Sequence, residues 1–421
     1  MKVLWITNIM LPPLCQELNL PIPVIGGWMY SSAKRLKMTF PLLKLAVATV
    51  YSGKSYLRYV IDDTIYYLLP LKGKNMQKYH KHLEEYWRDV YSEFTPALVH
   101  LHGSEFPHGL AFLNACPEAR TVVSIQGLVS VCARYYLGDM SFRDVLKNIT
   151  FRDIVRCNNL WQQKNSFTKR GLIERKIIHK AGNVIGRTSW DKVHATAIST
   201  DIKYYHCNET LRDEFYRHTW IYEKCEKHSI FLSQAGYPVK GFHKLLMALP
   251  LVIREFPDVK VYVAGFDIRC VDSLKSRLRR GGYGQYILSL IEHLKIANHI
   301  TFMGVLSEKQ MCEQYLKANV FVCPSSIENS PNSLGEAQLM GVPCIASYVG
   351  GIPDMMEGYE YGSVYRYEEF EMLAEEIITF FLRHDYSSDS GIVMARRRHD
   401  KKLNAERTLE IYKQLIFSDM K

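Results

Sequence analysis

The chain has 421 residues, 47% of them hydrophobic, and a formal net charge of +10. That is apolar material for the cores of two or three domains, which excludes an intrinsically disordered protein, and no apolar run approaches the roughly 20 residues that cross a bilayer. The ten cysteines are scattered with no C-x2-C pair, a pattern that argues against a zinc site and for reduced thiols in a cytosol-like compartment.

Met1 to Leu14 carries one lysine, a short apolar run and no small-residue cleavage site, so Val3 to Thr7 is expected to be a first buried strand and not part of a secretory leader. Adjacent Gly26 and Gly27 follow Val24-Ile25 and precede the helix-like run Met29 to Leu36; such a pair lets the backbone approach a ligand closely. Ala46 to Val50 and Thr64 to Leu69 read as strands, and Met76 to Phe94 as a charged amphipathic helix. Leu98 to His102 and Thr121 to Ile125 are short β-rich runs, ending in Gly103 and in Gln126-Gly127. This alternation implies a parallel sheet with crossover helices.

Phe142 to Lys180 holds ten basic side chains against three acidic ones, +7 of the chain's +10, interleaved with Phe142, Val145, Leu146, Ile149, Phe151, Ile154 and Trp161. That composition suits a helix lying on an anionic membrane and equally suits helices with a core face and a solvated basic face. Periodicity is poor over residues 199–228, where a linker is placed.

In the second half, Lys240 stands after a proline-bearing loop and just before Gly241 and the helical run His243 to Leu249, a position from which it can neutralise phosphate charge. Val320 to Cys323 is a strand-length apolar run, and Pro324 to Asn329 is turn-rich. Ser330 reads as an N-cap, Pro331 as the first helical residue, Leu334 to Met340 as helix, Gly341 as its stop and Val342 to Ala346 as the next buried strand. The N-terminus of that helix falls where parallel α/β sheets bind ligands. Free amides of Asn332, Ser333 and Leu334 would there receive a diphosphate. Glu336 lies roughly 7 Å further along the axis, within reach of a ribose attached to that diphosphate. Glu328, in the preceding loop, faces whatever the diphosphate carries. Lys402 to Phe417 has helical spacing.

The pair Glu328 and Glu336 resembles the E-x7-E motif of family-four retaining glycosyltransferases of the GT-B fold. Gln234 to Phe242 resembles that family's strand-to-loop segment ending in Lys-Gly, Val261 to Gly265 its second strand with a terminal glycine, and Ile300 to Leu306 the segment that receives the nucleotide base. The elements follow in the family's order through most of residues 228–395. The resemblance implies an α/β GT-B architecture, two Rossmann-like parallel-sheet domains facing a cleft. Residues 1–205 would form the acceptor side and 206–400 the nucleotide-sugar side, with 401–421 a terminal helix packing back on the first domain.

The resemblance further implies retaining transfer of a sugar from a UDP- or GDP-sugar to a hydroxyl of a glycan or lipid-linked acceptor, in bacterial surface-polysaccharide or glycolipid assembly. Catalytic roles would fall to Glu328, Lys240 and Gln126, and donor contacts to Gly26, Gly27, Lys240, Glu328, Asn332, Ser333, Leu334 and Glu336. In enzymes of this type the leaving phosphate itself helps deprotonate the acceptor. The chain departs from the family at Gln126, where many relatives carry histidine; an amide can hydrogen-bond a sugar hydroxyl but cannot act as a base near neutral pH. It departs again at Gln234-Ala235-Gly236, which lacks the family's arginine. There is no D-x-D pair, so no metal is expected, and the nucleotide sugar is a substrate, leaving no cofactor. A cytoplasmic location is expected, peripheral on the inner face of the plasma membrane if residues 142–180 touch lipid. Other readings are a GT-B epimerase or hydrolase, a donor-binding protein without turnover, and a basic nucleic-acid-binding protein. The last lacks any zinc-finger or RRM-like aromatic motif, and no nucleic-acid partner is expected.

Overall fold

The structure, a computed structural model, describes residues 1–23, 26–71, 75–386 and 390–417; Val24 and Ile25, which lead into the glycine pair, lie outside the described residues. The chain forms two compact units, Met1–Val131 with Thr168–Arg212 and Arg398–Lys421, and Cys132–Phe167 with Asp213–Arg397.

The first unit is built on strands β1 (Lys2–Thr7), β2 (Lys44–Tyr51), β3 (Leu57–Ile61), β4 (Thr64–Pro70), β5 (Leu98–His102), β6 (Thr121–Ser124), β7 (Asn183–Gly186) and β8 (Lys203–His206). They form one sheet in the order β3-β4-β2-β1-β5-β6-β7-β8, parallel except for the β3–β4 hairpin. Alternation along β1 explains why both faces are covered. Leu4 and Ile6 enter a core shared with helices Leu83–Phe94 and Pro107–Ala115, while Val3 and Trp5 enter one shared with helices Gly27–Thr39 and Lys401–Phe417. Tyr412 ties the last helix down: its hydroxyl accepts from the Trp5 indole at 3.0 Å and bonds His100 Nδ1 at 2.6 Å.

The second unit carries β9 (Ser229–Leu232), β10 (Lys260–Ala264), β11 (Ile300–Gly304), β12 (Val320–Cys323), β13 (Cys344–Ser347) and β14 (Gly362–Tyr365). Its order is β11-β10-β9-β12-β13-β14, with every pair parallel. The winding reverses between β9 and β12, and a doubly wound sheet opens its ligand crevice at that reversal.

The structure differs from the sequence reading in four places. The helix expected from Met76 begins only at Leu83, because Asn75 Oδ1 accepts the Gln77 N–H at 2.9 Å and holds the chain in a turn. Strand β3 has no counterpart among the expected elements: its hairpin turns through Asp62 and Asp63, both at positive φ (47° and 58°), without the glycine that marks such turns in sequence. Finally, the border expected at 205/206 falls at 212/213, since residues 203–206 add the strand β8 to the first sheet. Cys132–Phe167, expected with the first domain, packs in the second unit, where Met140, Val145 and Leu160 join the core. There the Gly138 carbonyl accepts from Tyr367 at 2.8 Å and meets His243 Nε2 at 2.6 Å.

Candidate functional site

Lys240 follows β9 and Glu328 follows β12, so both stand at the reversal point of the second sheet. The Lys240 ammonium donates to Glu328 Oε1 at 2.6 Å, and the Ser325 hydroxyl donates to the same oxygen at 2.8 Å. Two glycines make this approach possible. Gly241 sits at φ +66°, and a Cβ there would lie 1.6 Å from the Pro324 carbonyl oxygen. On the other side Gly350, at φ +56°, would place a Cβ 1.8 Å from the Glu328 carbonyl oxygen, which instead accepts from the Gly351 N–H at 3.0 Å. The Ser326 N–H donates to the Val239 carbonyl at 2.8 Å and the Ser347 hydroxyl to the Ser325 carbonyl at 2.5 Å. The loop bearing Glu328 is thus clamped by backbone from both sides.

Burial works against the Lys240 charge, but the Glu328 carboxylate, helped by Tyr237, outweighs it and holds the ammonium above the ordinary lysine range. Lys240 therefore stays cationic at any working pH. It is a preformed positive charge whose partner is a carboxylate that a phosphate could replace.

The helix after this loop runs Asn332–Met340, with Pro331 in the N-cap position and no side-chain cap. Of the three amides expected to be free, Leu334 is not: its N–H donates to the Pro331 carbonyl at 3.0 Å and its side chain is fully buried. Asn332 and Ser333 N–H make no hydrogen bond among the described residues, so the uncapped amides are these two. Glu336 is only 3% exposed. One turn further along the same helix, Met340 meets the Cys312 thiol at 3.6 Å.

In the first unit Gly26 has φ +78° and Gly27 starts the helix Gly27–Thr39, again without a side-chain cap. The Arg212 side chain lies across that start, with its Cδ 3.3 Å from where a Gly27 Cβ would be. Nothing in the local sequence marks Arg212, because the approach depends on the return of the chain after β8. Gln126 follows β6; its side-chain Nε2 is buried without a partner among the described residues, while its carbonyl accepts from Arg187 at 3.2 Å.

Neither nearby histidine is charged near neutral pH. His100 is bonded at both nitrogens, to Tyr412 and to Ser124 at 2.7 Å, and burial lowers its pKa to about 3. His102 lies against Trp5 with ring centroids 4.1 Å apart and the rings tilted by 54°, and burial followed by the neighbouring His100 keeps it neutral. A carboxyl missed in the sequence is Glu105, which accepts from Asn8 at 3.0 Å and whose pKa rises to about 7, through burial and then the proximity of Glu174. Among the described residues no group of three or more His, Cys, Asp or Glu could hold a metal ion, and no helix is long and apolar enough to cross a membrane.

Residues 221–389 match the family of group 1 glycosyl transferases. Spore coat protein SA of Bacillus subtilis is 31% identical over 141 residues, covering 33% of this chain and 35% of that protein. The phosphatidyl-myo-inositol mannosyltransferase of Mycobacterium leprae is 25% identical over 203 residues, covering 48% of this chain and 50% of that protein. The matches therefore span half or less of these curated relatives. Among solved structures, the sucrose-phosphate synthase of Thermosynechococcus elongatus aligns with a TM-score of 0.71 at 14% identity, covering 99% of this chain and 100% of that one. Anabaena Alr3699/HepE in complex with UDP and glucose aligns with a TM-score of 0.63 at 13% identity, covering 98% and 99%. The fold is GT-B.

Proposed function

We propose that this chain, whose residues 221–389 belong to the group 1 glycosyl transferases, moves a sugar from a nucleoside-diphosphate donor to a hydroxyl acceptor with retention at the anomeric carbon. The observation that carries the reading is the Lys240–Glu328 pair at 2.6 Å, held at the reversal point of the second sheet beside the uncapped amides of Asn332 and Ser333. The diphosphate takes the Lys240 ammonium and these amides, Glu336 binds the ribose, and Glu328, released from Lys240, orients the donor sugar.

In the reaction the bond between the anomeric carbon and the diphosphate oxygen breaks, with its electron pair going to the phosphate, where Lys240 offsets the growing charge. The acceptor oxygen bonds the anomeric carbon on the same face, and its proton passes to the departing phosphate oxygen. This route uses no imidazole and needs no metal, in keeping with the neutral His100 and His102. Gln126 offers its unpartnered amide N–H to a sugar hydroxyl. In the first unit, the amides at Gly26-Gly27, beside Arg212, suit a phosphate. The resemblance to surface-glycan enzymes, and a relative named for phosphatidyl-myo-inositol, favour a glycan or lipid-linked acceptor.

Thermal melting with UDP, GDP and other nucleotides tests the donor site. At about 100 times its Kd a ligand adds roughly 2.7 kcal/mol, a rise of about 5–10 °C for a unit of this size. Stabilisation by one nucleoside diphosphate, with the product's anomeric configuration matching the donor's, is expected. No response to any nucleotide would remove the basis of the proposal, and an inverted product would remove retention.

A further inference from the structure

The basic stretch 142–180 divides between the units: Cys132–Phe167 belongs to the second and Thr168–Arg212 to the first. Within the second unit, the stretch between the helices Phe142–Lys147 and Phe151–Val155 meets the end of a segment the sequence did not single out, residues 266–280. The Thr150 hydroxyl donates to the Arg280 carbonyl at 2.9 Å, and a Cβ on Gly282 would stand 3.0 Å from the Asn148 carbonyl. Together residues 142–156 and 266–280 carry nine basic against four acidic side chains, half of the chain's net +10.

The acids are largely engaged. Asp144 and Asp153 close capping boxes at their own helix starts, and Asp267 pairs with Arg269 at 2.8 Å. Arg143, Lys147, Arg156, Lys275, Arg277 and Arg279 have no ion-pair partner among the described residues. Among these cations large apolar side chains are left in solvent: Leu146, Phe151, Ile154, Val155, Leu274 and Leu278, with Phe151 68% and Leu274 78% exposed. Scattered exposed leucines need no explanation, but here the apolar side chains stand among unpaired cations on two segments joined by the Thr150–Arg280 bond.

We propose that residues 142–156 and 266–280 of the second unit form a docking surface for an anionic lipid bilayer, with the cations on the headgroups and Phe151, Ile154, Leu274 and Leu278 entering the acyl boundary. Unpaired cations call for an anionic partner. The choice of a bilayer over an acidic polymer rests on Leu146, Ile154, Val155, Leu274 and Leu278, aliphatic side chains that gain by entering hydrocarbon and have no stacking face to offer a base, and that outnumber the exposed rings of Phe142, Phe151 and Phe266 in the same segments. The inference is independent of the donor site, since vesicle binding is measured without nucleotide or acceptor.

The test is co-sedimentation of the full chain with vesicles of phosphatidylcholine alone and with about one third phosphatidylglycerol. Binding only to the anionic vesicles is expected, lost in high salt. The variant R143Q/K147Q/K275Q/R277Q should lower the partition coefficient on the order of 100-fold, while K54Q/K78Q/K81Q/K192Q, which removes the same charge from the first unit, should leave it near wild type. F151S/L274S/L278S should weaken binding about tenfold or more with the salt dependence retained. All variants lie at exposed positions, and unchanged melting verifies their fold. Equal binding to both vesicles, an equal loss in the control variant, indifference to the serine substitutions, or equally tight salt-sensitive binding to polyglutamate or duplex DNA would each overturn the proposal.

Discussion

The Lys240–Glu328 contact makes an asymmetric prediction for nucleotide affinity. Glu328 holds the ammonium that the diphosphate must take, so replacing it should affect UDP or GDP binding in the opposite sense from replacing Lys240. The two side chains are only 18% and 14% exposed, so the bond is well shielded from solvent. A charge-assisted hydrogen bond of this kind is worth about 1.5–3 kcal/mol net, or about 10- to 150-fold in a binding constant. Lys240→Met should therefore weaken the nucleoside diphosphate by that factor. Glu328→Gln removes a competing negative charge while a neutral amide keeps the shape, so it should bind UDP or GDP as tightly as wild type or tighter, by up to the same factor, while losing turnover of the nucleotide sugar. Calorimetric titration of wild type, both single variants and the double variant measures the coupling directly. Parallel weakening in both single variants would refute the reasoning, because it would make the pair a structural unit that the ligand does not open.

The clamp on the same loop is tested by Gly241→Ala. The positive φ alone costs about 1–2 kcal/mol, a fall in Tm of about 2–8 °C, and the overlap with the Pro324 carbonyl adds displacement of the Glu328 loop; an unchanged Tm and unchanged nucleotide affinity would contradict the geometry. Gln126→Ala should lower kcat about tenfold with UDP affinity preserved, and an equal loss of UDP affinity would move Gln126 out of the sugar contact. Glu105 gives a pH signature. Between about 4.5 and about 7 the folded chain keeps a proton there that the unfolded chain has released, so stability falls as pH rises through that window and is flat above it. Glu105→Gln cannot titrate, so in denaturant unfolding it should gain on wild type from pH 4.5 to 8; parallel profiles would show that the carboxyl is not perturbed.

What was legible in the sequence is what local chemistry determines. The strands β1, β2, β4, β5, β12 and β13 could be read because runs such as Val320 to Cys323 are apolar without interruption, as doubly covered parallel strands must be. Lys240 and Glu328 could each be singled out because each stands beside a glycine or turn, but their contact could not be read, since the structure brings them to 2.6 Å across 88 residues of sequence. Leu334 was misread for a reason confined to one turn: the helix begins at Asn332 and not at Pro331, so the third amide closes the first turn onto the Pro331 carbonyl. The larger misses are non-local. Residues 132–167 have the composition of any amphipathic helical stretch, and nothing in that composition says which core Met140 and Val145 will join. The same holds for Arg212, which reaches Gly27 only because the chain returns after β8, and for residues 266–280, whose leucines and arginines look like an ordinary loop until Arg280 is seen bonded to Thr150. Residues whose roles depend on which segment lies alongside are where the sequence falls silent, and both the added arginine and the proposed lipid-facing patch are of that kind.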